Sequence, residues 1–324
     1  MLASPSPSAA PSDSLCPACA RSGHSRWRPA SPSDPSLNDE FWLTRCPHCG
    51  TASTRPLQDP ATLAPLYASG FYSPPHPLLD RLIEPIRQIM LRERDRSLDG
   101  VAAGAKLFEI GAGDGSYIAH LRGEGYRATG IEPHARPGDD AIERIPLDQV
   151  ELPARSQDVV MMWHVLEHLD DPAAALAAAH EWLVLGGRLI VAVPNISSVQ
   201  ARIGEDRWFH QDVPRHRTHF AESGLLRLLE RQGFGPRRVR HVLLEHNPLG
   251  MWQTLLNRLT DRRDVAFRML KRDPTLRGPG IGRDLLITLL VGPILVPVAL
   301  ILELFAGLTQ RGGTIIVEAT RTGR

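Results

Sequence analysis

The stretch Lys106-Leu-Phe-Glu-Ile-Gly-Ala-Gly-Asp-Gly-Ser116 decides the fold. Lys106–Ile110 reads as a buried strand that breaks into a turn, with glycine at 111, 113 and 115, before a helical pattern begins. Glycine in such a turn takes backbone angles closed to other residues and lets the main chain approach a ligand. The turn also delivers free N–H groups at the start of a helix. About one βαβ unit later, Gly130-Ile-Glu132 ends a second strand, and a carboxylate there can accept hydrogen bonds from both ribose hydroxyls of an adenosine-bearing ligand.

Outward from that stretch, residues 105–246 alternate short apolar runs with helical patterns, as βαβ units around a parallel sheet do. Strands are expected near Lys106–Ile110, Ala128–Ile131, Asp158–Trp163, Arg188–Val193 and Arg237–Leu244, with a weakly written one near Ile142–Ile145 and a last one at Thr314–Ala319. The organisation expected is a tail over 1–14, a cysteine module over 15–56, a linker and helix over 57–104, and the α/β core over 105–246. A helical insertion over 247–312 and a final strand and tail over 313–324 complete it. The linker opens on an aromatic patch, Tyr67, Phe71 and Tyr72, followed by a proline-rich turn at Pro74–Pro77 and a helix over Leu78–Leu98.

A glycine turn with a distal acid serves nicotinamide dinucleotides almost as well as S-adenosylmethionine, and two details separate them. The dinucleotide fingerprint spaces its last two glycines three apart, whereas Gly113 and Gly115 are two apart. Glu109 would set an anion beside the loop, unwelcome near a pyrophosphate and suited to the ammonium of a methionine moiety.

Glu109-Ile-Gly-Ala-Gly-Asp-Gly115 resembles motif I of class I S-adenosylmethionine-dependent methyltransferases, and Gly130-Ile-Glu-Pro133 resembles their motif II. Asp158-Val-Val-Met-Met-Trp-His-Val-Leu-Glu-His-Leu169 is similar to their fourth-strand segment, and Leu185-Gly-Gly-Arg-Leu-Ile-Val-Ala-Val-Pro-Asn195 to their glycine turn and fifth strand. The resemblance implies a Rossmann-like fold with a seven-stranded, mostly parallel sheet whose last strand is antiparallel. It further implies cofactor contacts from Glu109, Gly111, Gly113, Asp114, Gly115 and Glu132, with Asp148 on the adenine side and Trp163 and His164 lining the pocket.

The methyl of a sulfonium donor is already activated, so catalysis is mostly placement of the acceptor, with a base where the acceptor is a hydroxyl or an acidic carbon. Histidine suits that role. His164 and His168 follow the fourth strand, and His210, His216 and His219 follow the fifth. Pro214-Arg-His216 with His219-Phe220 resembles an element of methyltransferases from bacterial cell-surface and polysaccharide genes, which implies His216 as base or substrate contact, with His219 and Arg215 beside it. For His164 and His168 the plainer reading is capping, loop orientation or lining of the cofactor pocket, and for His216 a structural role weighs equally.

Cys16-Pro-Ala-Cys19 and Cys46-Pro-His-Cys49 hold all four cysteines of the chain. Two such knuckles complete one closed four-thiolate zinc site, structural and not catalytic, on a ribbon with a long hairpin between them. Disulfides are the alternative. A similar module precedes the catalytic domain of sugar C-methyltransferases, which implies that it frames the substrate entrance.

The net charge of +1 over 324 residues gives no general attraction to nucleic acid, and no secretory leader pattern opens the chain, so the cytoplasm is the expected compartment. Positive charge is almost all arginine, Lys106 and Lys271 being the two lysines. The acceptor expected is small or lipid-linked, such as a saccharide or secondary-metabolite intermediate. The competing readings are an RNA or protein methyltransferase gripping its substrate through the ribbon, and a non-catalytic membrane-associated scaffold. Against the first, the ribbon has few basic residues, Arg21, Arg26, Arg28 and Arg45.

Eighteen residues without charge, Leu285–Leu302, approach the length of a bilayer crossing. Gly292-Pro293 and Pro297 interrupt the run, and a final strand that must rejoin its sheet forbids a single crossing. A bent hairpin or an interfacial helix pair at the inner face of the cytoplasmic membrane is expected, against a buried cover on the soluble domain as the alternative.

Overall fold

The computed structural model describes residues 15–33, 37, 40–68, 77–135, 140–271, 273, 276–278 and 280–323. The tail expected over 1–14, Phe71 and Tyr72 of the aromatic patch, and Pro74 and Pro75 of the proline-rich turn lie outside the described residues.

Three short antiparallel strands, β1 (Ser25–Ala30), β2 (Phe41–Arg45) and β3 (Ala52–Arg55), form the cysteine module. Helices α1 (Pro60–Ala68) and α2 (Pro77–Asp95) follow, the latter extended by a single 3-10 turn to Leu98 as the helical spacing predicts. The core then runs β4 (Lys106–Ile110), α3 (Ser116–Gly123), β5 (Arg127–Ile131), β6 (Ile142–Glu143), β7 (Gln157–Trp163), α4 (Pro172–Trp182) and β8 (Leu183–Pro194). After it come α5 (Val199–Gly204), β9 (Thr218–His219), α6 (Glu222–Arg231) and β10 (Phe234–Arg240). Helices α7 (Asn247–Asn257), α8 (Val265–Leu270) and α9 (Ile281–Leu308) precede β11 (Thr314–Arg321).

Seven strands line up as β10-β11-β8-β7-β4-β5-β6, all parallel except β11, which runs antiparallel between β8 and β10. Side chains of a strand alternate between faces, and the core divides accordingly. Phe108, Val160, Met162 and Val191 meet α4 and α6 on one face, through Leu176, Trp182, Leu225 and Leu228. Leu107, Val159, Met161 and Ile190 meet Ile118 and Leu121 of α3 on the other. Asp171 caps α4 by accepting from the amides of Ala173 and Ala174 at 2.9 and 3.0 Å. The weakly written third strand is a two-residue β6.

Two expectations are corrected. The sixth strand ends at Arg240, not near 244, because its last partner on β11 is Ile316; beyond it the chain turns away, and Leu244 N donates to Glu93 of α2 at 2.6 Å. The apolar run is not a bent hairpin. It lies within one continuous helix, α9, and among the described residues α9 is the one helix long and apolar enough to cross a membrane. The chain travels outward along α7 and α8 and returns along α9, packed against α7, so no bend at Pro293 or Pro297 is needed to regain the sheet.

The cysteine module is sewn to the core. β9 pairs antiparallel with β3, Ala52 opposite His219 and Ser53 opposite Thr218, so one sheet includes strands from both. Arg231 and Ser223 donate to the carbonyls of Ala18 and Cys49 at 2.9 and 2.8 Å. Cys16, Ala18, Cys46 and Cys49 share a buried apolar cluster with Phe220 and Leu225.

Candidate active site

Strand β4 delivers the glycine turn at its C-terminal end. Gly111, Gly113 and Gly115 all take positive φ, +75°, +61° and +79°. A Cβ at Gly111 would stand 2.3 Å from Val165 Cγ2, so only glycine fits there. Asp114 is occupied locally: its Oδ1 accepts from Ser116 N at 3.0 Å and Ser116 Oγ at 2.6 Å, tightening the entry to α3. Glu132 follows β5, its Oε1 accepting from His134 N at 3.0 Å, and Asp148 stands exposed in the turn Leu147–Gln149 on the same side of the sheet order.

Glu109 is 2% exposed, and burial pushes its carboxyl up to about 7. Its Oε2 has no hydrogen-bond partner among the described residues. Arg94 of α2 lies 3.9 Å from Glu109 Oε1, donates to both oxygens of Glu245 at 2.7 Å, and stacks its guanidinium over Trp163 at 5.0 Å and Tyr117 at 5.2 Å. These features fit S-adenosylmethionine: a cradle of positive-φ glycines, an acid at the end of the next strand, and a buried carboxylate oxygen with no hydrogen-bond partner among the described residues.

Beyond β7 and β8 the histidines gather. His164 takes φ +54° and donates its amide to Ala192 O at 2.9 Å, which swings its ring into the pocket, 4.3 Å from that of His246. His216 is 5% exposed; its Nδ1 lies 2.9 Å from His210 O, so that nitrogen donates and Nε2 carries the lone pair. His216 Nε2 lies 3.9 Å from Glu167 Oε1 and 3.8 Å from Asp212 Oδ2. His168 is held by Arg215 O at 3.2 Å and packs edge-on against His216 at 4.5 Å. Glu167 is 1% exposed, and among the described residues neither of its oxygens has a hydrogen-bond partner, although His164 Nδ1 stands 3.4 Å from Oε1. Burial pushes this carboxyl up to about 7 and His164 down to about 4. Glu167, His168 and His216 each place a ligand-type atom within 4.8 Å of the others, an arrangement that can share a proton or a cation.

His219 and Arg215 sit differently from His216. His219 lies within 3.0 Å of Thr54 Oγ1 in the cysteine module. Arg215 forks onto Asp212 with contacts of 2.7 to 3.1 Å. Sequence reasoning missed Arg94, Glu245, His246 and the part played by Glu167. Only Glu167 had a local signal, the His164-x-x-Glu-His168 spacing.

In the cysteine module, Cys16 and Cys49 sulfurs are 3.6 Å apart, as are those of Cys19 and Cys46, and none forms a disulfide. All four lie within 4.8 Å of one another. A tetrahedral zinc with 2.3 Å bonds sets sulfurs about 3.8 Å apart, so the thiols fit that ion. Between module and core lies a cleft lined by Trp27, Arg28, Arg45, Ser197, Arg202 and Arg311.

Residues 81–238 match the family model described as a methyltransferase domain. This core is a class I S-adenosylmethionine-dependent methyltransferase. The methyltransferase is 27% identical over 167 residues to the ubiquinone biosynthesis O-methyltransferase of Erwinia tasmaniensis, covering 45% of this chain and 67% of that one. It is 24% identical over 167 residues to the protein of that description from Photobacterium profundum, covering 45% and 69%. Among solved structures, the 1,6-didemethyltoxoflavin-N1-methyltransferase of Burkholderia thailandensis aligns with TM-score 0.46 and 15% identity over 91% of this chain and all of that one. The family model does not extend to the cysteine module or α9.

Proposed function

We propose that the enzyme methylates a small or lipid-linked acceptor, a saccharide or secondary-metabolite intermediate, with His216 as base and Glu167 behind it. The observation that carries this is the unsatisfied Glu167 carboxylate, buried 3.9 Å from a His216 Nε2 whose tautomer is fixed by His210 O. A buried acid without donors is costly, and such groups collect where charge must move. S-adenosylmethionine supplies an activated methyl, so the protein has to hold the acceptor in line, exclude water and take up a proton. His216 Nε2 accepts that proton, and ionised Glu167 stabilises the imidazolium so formed. His219 and Arg215 act as positioning residues, through Thr54 and Asp212.

Zinc closing the four-thiolate site is part of this reading. Its support is the sulfur spacing and the way the module backs the histidine loop: Thr54 donates to His216 O at 2.6 Å. The near-neutral charge supports a non-nucleic-acid acceptor.

The test is transfer from labelled donor into cell extracts split into lipid, glycan, RNA and protein pools. Label in the lipid or glycan pool is expected. Label confined to RNA or protein would overturn the acceptor class, and none in any pool with donor binding intact would favour a scaffold.

A further inference from the structure

In α9 the usual polarity of a surface helix is reversed. Its buried positions are Asp284, Thr288, Gly292, Ala299, Glu303 and Ala306, a single stripe at helical spacing that is small or polar throughout. Its outward positions are large and apolar: Leu289, Leu290, Ile294, Ile301, Leu304 and Leu308 are between 61% and 75% exposed. A helix facing water turns its charged side out. The apolar face runs from Leu286 to Leu308, about 33 Å at 1.5 Å per residue.

The buried stripe holds the helix in this orientation. Asp284 accepts from the amides of Asp261 and Arg262 at 3.0 and 3.1 Å. Glu303 accepts from Gln200 and from Gly313 N. The Trp252 indole of α7 donates to Gly292 O at 2.8 Å, beside the prolines. Turning the apolar side inward would break every one of these bonds. Both ends of α9 are tied to the same body, so the helix lies along a surface and cannot cross one.

We propose that the outward face of α9 is a membrane-docking surface that seats the protein on an anionic bilayer, immersed to the depth of one helix face. Charge complementarity selects lipid. The segment 258–283 leading into α9 carries eight Arg or Lys against three Asp in a chain of net charge +1; Arg277 is exposed there, as are Arg258 and Arg283, which stand beside Glu205 and Asp261 at 3.6 and 2.6 Å. Arg311 stands exposed just past the other end. An apolar face with arginine at its ends matches acyl chains below anionic headgroups. A second copy would bring like charges together, basic flank on basic flank if parallel and basic flank on Arg311 if antiparallel.

The same face leads to the histidine pocket. In the segment after β10, Val242 and Leu244 are 40% and 47% exposed, and Val242 contacts α9 at Gly307. The next two residues, Glu245 and His246, reach Arg94 and His164. A lipid-linked acceptor would enter along this segment. That last step rests on the methyl-transfer reading, whereas the docking does not.

Vesicle flotation of the full-length protein tests the proposal, with vesicles of phosphatidylcholine alone or mixed with phosphatidylglycerol. The protein should float with the mixed vesicles and remain bound in high salt once seated. The triple variant Leu290→Glu, Ile294→Glu, Ile301→Glu should lose at least about tenfold in bound fraction, since each charge opposes insertion. Its S-adenosylhomocysteine binding and zinc content, read in parallel, should match the parent, which separates loss of docking from loss of fold and from failure of the methyltransferase reading. A parent that stays unbound to both vesicles overturns the proposal. So does a stable dimer, abolished by the triple variant, that never floats. Binding that is equal on neutral and anionic vesicles would remove the role given to the arginines.

Discussion

The proposed donor side and the proposed acceptor side of the pocket are built by different means. On the donor side, one run from Lys106 to Ser116 and a second ending at Glu132 supply the glycine turn, the buried acid Glu109 and the acid proposed to hold the ribose, all from adjacent parallel strands. On the acceptor side, Glu167 comes from the loop after β7, His216 from the loop before β9, and Thr54 from the cysteine module. Arg94 and Glu245, 151 positions apart, close the boundary between the two. A local turn is fixed by its own backbone angles, whereas the acceptor side depends on a distant module keeping its shape. Damage to one side should therefore leave the other measurable.

The largest effect should come from Glu132→Ala. Loss of two hydrogen bonds to a charged acceptor, each about 1.5–3 kcal/mol, should weaken S-adenosylhomocysteine about a hundredfold or more, read by calorimetry. Zinc content should not change, and parent-like affinity would dissolve the division drawn here. Next is the reverse experiment, Cys46→Ser or chelation. One zinc per chain should be lost, and methyl transfer should fall about a hundredfold, as misplacement by an ångström does. Donor affinity should stay within a few-fold. Full activity after truncation at Pro56 would show that the module does not support the acceptor side.

A third, smaller effect concerns pH. Glu167 has its folded value raised to about 7, so the carboxyl is accommodated when protonated and destabilises the fold once ionised. Stability is thus fully present below the unfolded value near 4.3 and is lost as pH rises through 7, by about 4 kcal/mol. Glu167→Gln should melt higher than the parent at pH 8 and equal to it at pH 4, by calorimetric scan. The parent's kcat/KM should rise through pH 7, and the variant's should be lower and flat there. A rise retained in the variant would remove Glu167 from the proton path. Smallest is Thr54→Val, which removes the bond to His216 O and the contact with His219, costing about 1–2 kcal/mol in denaturant titration. A larger loss of activity than of stability would assign Thr54 to positioning.

The centre of the sheet was legible because β4, β7 and β8 are apolar runs bounded by turn formers, and the glycine turn carries its geometry in its own composition. Even the antiparallel return at Thr314 could be placed, since the family resemblance demanded it. The two-residue β6 left almost no trace, because so little of it is buried. Glu167 stood inside a quoted motif, yet nothing local tells that its carboxylate is unpaired; that is a fact about what surrounds it. Nothing in the sequence separates Arg94 from the other charges on helix α2. In α9, hydropathy located the apolar run, but the inference of a bend assumed that α7 and α8 did not already make the outward journey.

Strand β11 lies between β8 and β10, so a segment that follows both of them in the chain fills a gap inside the central sheet. Synthesis proceeds from the other end. Until Thr314–Arg321 leaves the ribosome, β8 and β10 have no common neighbour and their facing edges stay open. Helix α9 emerges immediately before that closing strand, with its apolar side bare. For a nascent chain the order of events is then awkward: the stickiest element appears while the sheet is still unfinished. A chain stopped before Thr314 should yield aggregation and not a slightly weakened enzyme.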